Sequence, residues 1–280
     1  PRSINKPDFA VKLTARMGRT SIGFLSAHDR HSPFIIPFEE TSSGLIIGGK
    51  SYSNIFRMRQ VFGSGSQVGM LLTNRYREGG GSGSTYSADA SLRFSRRVTL
   101  RIQAAGSYTS EPVDSLFTAG LEGYDFDNGK YTAVFDGESF GGYAGIASLS
   151  YNSSNFSITG RVSETGPTFR ADNGWMPRNS RRDVNIYSSY HWRFDRGLVE
   201  RVTLDVNPTR IWNTDGRKKD EAVFATVSTP LRFYQSRPMY QYMISTEKFA
   251  GTHYKDIWNH FVGFSTSPSE MLAFGGSVSY

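Results

Sequence analysis

The chain has 280 residues, of which 38% are hydrophobic and 14% aromatic, and its formal net charge is +7. It contains no cysteine, which excludes disulfides, zinc–thiolate sites and cysteine nucleophiles. No window of about 18 apolar residues occurs, so the sequence predicts no membrane-spanning helix. The basic residues are spread along alternating segments without a nucleic-acid-binding motif, and we therefore expect no nucleic-acid partner.

Fourteen segments alternate apolar and polar residues with the period of two that indicates a β-strand. In chain order they are 8–17, 20–27, 51–62, 67–76, 87–94, 98–109, 141–152, 155–162, 183–194, 199–212, 222–234, 239–248, 257–266 and 271–280. The clearest hairpin joins the fifth segment to the sixth, where Leu92 and Phe94 of the first limb and Leu100 and Ile102 of the second form one apolar face. Each segment thus has one apolar and one polar face.

Short connections with turn-forming residues alternate with longer ones along the whole chain. The longer connections are 28–50, 77–85, 110–140, 163–182, 213–221 and 249–256. Outer-membrane barrels have this asymmetry, with short periplasmic turns and long external loops. The sequence therefore predicts an all-β fold, a transmembrane antiparallel up-and-down β-barrel with about fourteen strands in this segment.

With the short turns in the periplasm, the first predicted strand runs downward and the last runs upward. Both ends of the series would then lie on the external side, whereas single-chain bacterial barrels normally start and finish in the periplasm. We therefore expect residues 1–280 to be one outer-membrane domain, an internal segment of a larger barrel with at least one strand missing at each end.

Six arginines fall on the polar faces of the predicted strands. They are Arg57, Arg59, Arg93, Arg101, Arg161 and Arg193. A basic residue at the bilayer midplane costs roughly 2–4 kcal/mol, so these faces are expected to line the lumen. Two interpretations stay open: a cationic lumen that favours anionic solutes or polyanionic glycans, and arginines that brace the wall by pairing with acids such as Asp89 and Glu200.

Two motifs bear on site chemistry. Residues 137–141 match the G-x-S-x-G pattern, but an alternating strand follows, not the strand–turn–helix that exposes a nucleophilic serine. No catalytic residues are predicted. The longest connection places Asp125 and Asp127 beside Asn128 and Gly129, oxygen-rich chemistry that suits calcium without the spacing of a helix–loop–helix site. The alternatives are a loop calcium site at Asp125 and Asp127, and a solvated acidic turn without any cofactor.

Four stretches carry a resemblance to a known family. They are FAVKLTARMGRTSIGFLSA (9–27), NIFRMRQVFGSGSQVGMLLTNRY (54–76), TYSADASLRF (85–94) and FRADNGWMPRNSRRD (169–183). In order along most of the chain, these resemble the barrel region of large bacterial outer-membrane proteins that carry an N-terminal family-9 carbohydrate-binding-like domain. The resemblance implies a bacterial outer-membrane barrel whose biochemical role is poorly defined. It transfers neither catalytic residues nor a sugar-binding site to this chain.

Together these observations predict an outer-membrane β-barrel that acts as a pore or a translocation or anchor component, for glycans or other anionic solutes. The expected partners are the lipid bilayer, lipopolysaccharide and such a solute. Three alternatives stay open: a membrane anchor for a carbohydrate-binding module, an outer-membrane hydrolase, and a soluble all-β binding domain.

Overall fold

The structure is a computed structural model, and it describes residues 7–40, 44–249 and 251–280. Its strands, in chain order, are β1 (Pro7–Met17), β2 (Thr20–Asp29), β3 (Pro33–Ile36), β4 (Gly44–Ile47), β5 (Ser51–Phe62), β6 (Ser66–Arg77), β7 (Ser82–Arg93), β8 (Val98–Ser110), β9 (Asp125–Phe126), β10 (Tyr131–Thr132), β11 (Ser139–Asn152), β12 (Phe156–Thr165), β13 (Arg181–Arg193), β14 (Arg201–Trp212), β15 (Lys218–Ser228), β16 (Arg237–Phe249), β17 (Thr252–Ser269) and β18 (Leu272–Ser279). The helical content of the described residues is one 3-10 turn, Ser115–Thr118. In the described part of the chain, no helix has the length and hydropathy needed to cross a membrane.

Fourteen of these strands form one antiparallel sheet in which nearly every strand pairs with its sequence neighbour. The spatial order is β1-β2-β5-β6-β7-β8-β11-β12-β13-β14-β15-β16-β17-β18. The two remaining hairpins, β3–β4 and β9–β10, lie within connections between sheet strands. The predicted all-β, antiparallel, up-and-down architecture of fourteen strands is therefore confirmed.

The sheet is open. Within the described residues, β1 pairs only with β2 and β18 pairs only with β17. Both edge strands are solvent-exposed at every residue. The closed circle of strands that a barrel requires is thus not formed by these fourteen strands in this structure.

The register of the central hairpin fixes which side chains share a face. Ala90 lies opposite Ile102, and Ser91 lies opposite Arg101. On the next strand, Ala147 lies opposite Ile102. Because side chains alternate between the two faces, Ile102 and Arg101 point to opposite sides of the sheet. The predicted alternation across 87–109 is confirmed.

Several predicted boundaries were wrong. The strand predicted at 222–234 ends at Ser228, because Pro230 has no N–H for a ladder, and its carbonyl accepts from the Glu200 nitrogen instead. The loops predicted at 77–85 and 249–256 are largely strand, since β7 begins at Ser82 and β17 at Thr252. Strict alternation of short and long connections therefore does not hold. The small hairpins within 28–50 and 110–140 were missed.

Three connections fold together over one face of the sheet. We call residues 31–40, 44–49, 111–138 and 166–180 the cap, the strand ends beneath it the cap end, and the opposite ends the turn end. The cap has its own core, formed by Phe34, Ile36, Ala133 and Phe135. Its Arg170 nitrogen donates to Ser107 Oγ, 3.2 Å away on β8. The face that includes Ser107 is the covered face, and the other is the bare face.

Candidate functional site

All six predicted arginines lie on the covered face. Arg101 is six residues before Ser107 on β8, so the two share a face. Arg161 and Arg101 each lie opposite Ser148 of β11, and the same alternation and register place the other four there. The partition of arginines onto one face of the sheet follows the sequence prediction.

The arginines differ in whether a carboxylate neutralises them. Arg57 forms an ion pair with Asp89 on the same face. Within the described ranges, the other five make no ion pair, and all five are exposed. They are Arg59, Arg93, Arg101, Arg161 and Arg193. The interpretation in which an arginine braces the wall by pairing with an acid therefore fits Arg57 alone. In the described part of the chain, Glu200 pairs with none of the six arginines.

A cavity of about 850 Å³ lies between the covered face and the cap segment 166–180. Its lining includes Arg161 from β12, Arg181 from β13 and Arg178 from the cap. Asp183 is also in the lining, and it contacts Arg181 at 3.3 Å. Glu164 is the other carboxylate of the lining, and it pairs with Arg182. The three guanidinium groups of the lining therefore outnumber its two carboxylates, which suits an anionic group.

One buried ion pair joins the cap to the sheet, and a second joins two segments of the cap to each other. Arg77 at the end of β6 reaches Asp172 of the cap at 2.7 Å, and both side chains are about nine-tenths buried. Arg77 also stacks on Phe34, with its guanidinium carbon 3.6 Å from the ring centroid. The second pair joins Arg170 to Glu111. Removing one partner from such a pair leaves a buried charge unpaired, so both pairs hold the cap in one position.

Glu111 is the most perturbed acid of the cap. Burial raises the pKa of Glu111 to about 7 against the opposing effect of Arg170, and the carboxylates of Glu138 and Asp136 raise it further. Its side chain is 1% exposed. Oxygens of Glu111, Asp136 and Glu138 lie within 4.8 Å of one another, so this trio could hold a metal ion.

The two aspartates predicted as calcium ligands lie elsewhere in the same connection. Asp125 is in β9, and Asp127 occupies the following turn with a positive φ of 56°. Both line a second cavity of about 910 Å³ together with Glu39 and Glu40. Among the described residues, neither belongs to a cluster of three metal-ligating side chains. The calcium prediction at Asp125 and Asp127 stays a prediction.

The sequence analysis missed the residues that dock the cap. Glu111 and Arg170 are separated by 59 positions, and Arg77 and Asp172 by 95. No local spacing links such partners. The available signal was the position of Glu111 directly after β8 and of Arg170 within a long loop, since both are charged residues at places where two loops could meet. Ser139 of the G-x-S-x-G motif begins β11, which continues to Asn152 without a helix.

No protein-family model matches this sequence, and the comparison with curated proteins gives no match.

Proposed function

We propose that this chain forms the wall of a bacterial outer-membrane β-barrel that acts as a pore or translocation component for anionic solutes, including polyanionic glycans. The observation that carries the proposal is the division of side chains between the faces. Apolar residues dominate the bare face, whereas unpaired arginines lie on the covered face. Hydrocarbon would contact the bare face, and the covered face would line the lumen.

The bare face has the height that a bilayer requires. On β8 it carries Val98, Leu100, Ile102, Ala104, Gly106 and Tyr108. Ten residue steps at about 3.3 Å, inclined by about 40°, span roughly 25 Å along the membrane normal, the height of an outer-membrane apolar band. Ile102 on β8 and Leu149 on β11 are 43% and 53% exposed, values that suit contact with lipid rather than water.

Charged residues on the bare face of β7–β15 are confined to the cap end. They are Glu164, Arg182, Arg210, Lys218 and Glu221. Arg182 contacts Glu164 at 2.8 Å, and Arg210 contacts Glu221 at 2.6 Å. Such pairs at one end of an otherwise uncharged band suit the level of phosphorylated lipopolysaccharide headgroups, which supports an external cap end.

The pore proposal is tested by ion conductance of the full-length protein in planar bilayers. Arg101→Gln and Arg161→Gln remove unpaired charges from the covered face, so the anion-to-cation permeability ratio should fall. Arg217→Gln is the matched control, because Arg217 is exposed beyond the cap end and pairs with Asp215. The ratio should stay unchanged in this control. Absence of current, or an unchanged ratio in both covered-face variants, would overturn the pore proposal.

The docked cap supports a second candidate, a barrel that anchors a carbohydrate-binding module. The resemblance to outer-membrane proteins with such a module leads to the same idea. The buried Arg77–Asp172 pair docks the cap over the covered face, and the Arg170–Glu111 pair and the aromatic core hold the cap segments together. A cap held in this way would block a lumen on that face. Glycan binding that survives exchange of this barrel for an unrelated one, together with absent conductance, would support the anchor over the pore.

A further inference from the structure

Two cap segments bring three carboxylates together. Residues 111–113 run beside residues 136–138: the Glu111 nitrogen donates to the Glu138 carbonyl at 2.9 Å, and Val113 forms an antiparallel bridge with Asp136. This pairing positions the side chains of Glu111, Asp136 and Glu138, whose nearest oxygens lie within 4.8 Å of one another. Two ligands of one Ca²⁺, each about 2.4 Å from the ion, are at most about 4.8 Å apart.

An independent observation concerns the buried member of the trio. Oε1 of Glu111 accepts from Arg170 Nη1, but Oε2 is buried without a partner in the described part of the chain. The side chain is 1% exposed, so no bulk water reaches it. A buried carboxylate oxygen without a partner is costly, and a bound cation supplies the missing interaction.

The remaining contacts leave the trio able to bind a cation. Oε2 of Glu138 accepts from the Thr132 nitrogen at 2.9 Å, which orients the carboxylate and leaves its other oxygen available. Asp136 is exposed and provides access from solvent. Three carboxylates and the guanidinium of Arg170 sum to about two negative charges, which one divalent ion balances.

We propose that Glu111, Asp136 and Glu138 form a binding site for a hard divalent cation, with Ca²⁺ as the best fit. Ca²⁺ accepts carboxylates in irregular arrangements and completes its shell with backbone oxygens and water, whereas Mg²⁺ requires a near-ideal octahedron. The ion would join two cap segments, one directly after β8 and the other directly before β11. The site is independent of whether the barrel conducts ions.

The test is Ca²⁺ titration of the full-length protein in detergent after removal of metals with a chelator, followed by calorimetry and by Tb³⁺ luminescence. We expect saturable binding that weakens about tenfold or more in Asp136→Asn and Glu138→Gln, because each removes a charged ligand. Asp136→Asn is informative even where Glu138→Gln misfolds, since Asp136 is exposed and makes no side-chain hydrogen bond within the described residues.

Asp127→Asn is the matched control from the same connection, and asparagine tolerates its positive φ of 56°. Its affinity for Ca²⁺ should equal that of the unaltered protein. No saturable binding at millimolar Ca²⁺ would overturn the proposal. So would equal binding by Asp136→Asn and the unaltered protein, or a loss confined to Asp127→Asn, which would move the site to the aspartates predicted from the sequence.

Discussion

At the scale of single residues, Gly142 is a position where the cap backbone packs directly against the sheet. A Cβ at this position would lie 2.5 Å from the Phe169 nitrogen and 2.6 Å from the Thr168 carbonyl carbon. Backbone atoms cannot yield as a flexible side chain can. Gly142 is therefore required because the cap backbone occupies the space that any other side chain would need.

Gly142→Ala should displace the cap segment 166–180 and destabilise its docking by about 1–3 kcal/mol, the range for overpacking. Limited proteolysis should show faster cleavage within that segment. Gly160→Ala is the matched control on β12, because its added Cβ meets nothing within 4 Å. Equal protease resistance of the two variants would contradict the close approach at Gly142.

At the scale of the element, the β7–β8 hairpin shows how one register assigns two environments. Ile102 and Gln103 are adjacent, yet Ile102 lies on the bare face and Gln103 lines the cavity under the cap. Ile102→Arg should reduce folding into phospholipid vesicles, because a guanidinium at the bilayer midplane costs about 2–4 kcal/mol. Gln103→Arg should fold normally. Gel mobility with and without heating measures the folded fraction of each variant. Equal folded fractions of Ile102→Arg and Gln103→Arg would contradict lipid contact on the bare face.

The elements also show why prediction succeeded in some places and failed in others. The hairpins were predictable because a period of two is local, and it placed Arg101 and Arg161 on one shared face of the sheet. The Glu111–Arg170 pair was not predictable, because the partners meet only through the folding of two long loops. The end of β15 was misjudged because apolar residues after Ser228 suggested a strand that Pro230 prevents.

At the scale of the whole molecule, two of the four tryptophans can test whether the bare face contacts lipid. Trp192 lies on the bare face of β13 and is 43% exposed, whereas Trp175 lies in the cap and is 70% exposed. In a variant that retains only Trp192, lipids with brominated acyl chains should quench its fluorescence strongly. A variant that retains only Trp175 is the matched control and should be quenched weakly. Stronger quenching of Trp175 than of Trp192 would place the cap, not the bare face, in the hydrocarbon.

The two edge strands of the sheet limit how many further strands could close it into an antiparallel barrel. Each strand reverses the direction of the one before, so the first and the fourteenth of the series run in opposite directions. Those two edge strands could therefore pair with each other directly in an antiparallel ladder. They could also be joined through any even number of added strands with every ladder antiparallel. An odd number would force one parallel seam into the circle. Any strands that closed this sheet into a circle with antiparallel ladders throughout would therefore be even in number.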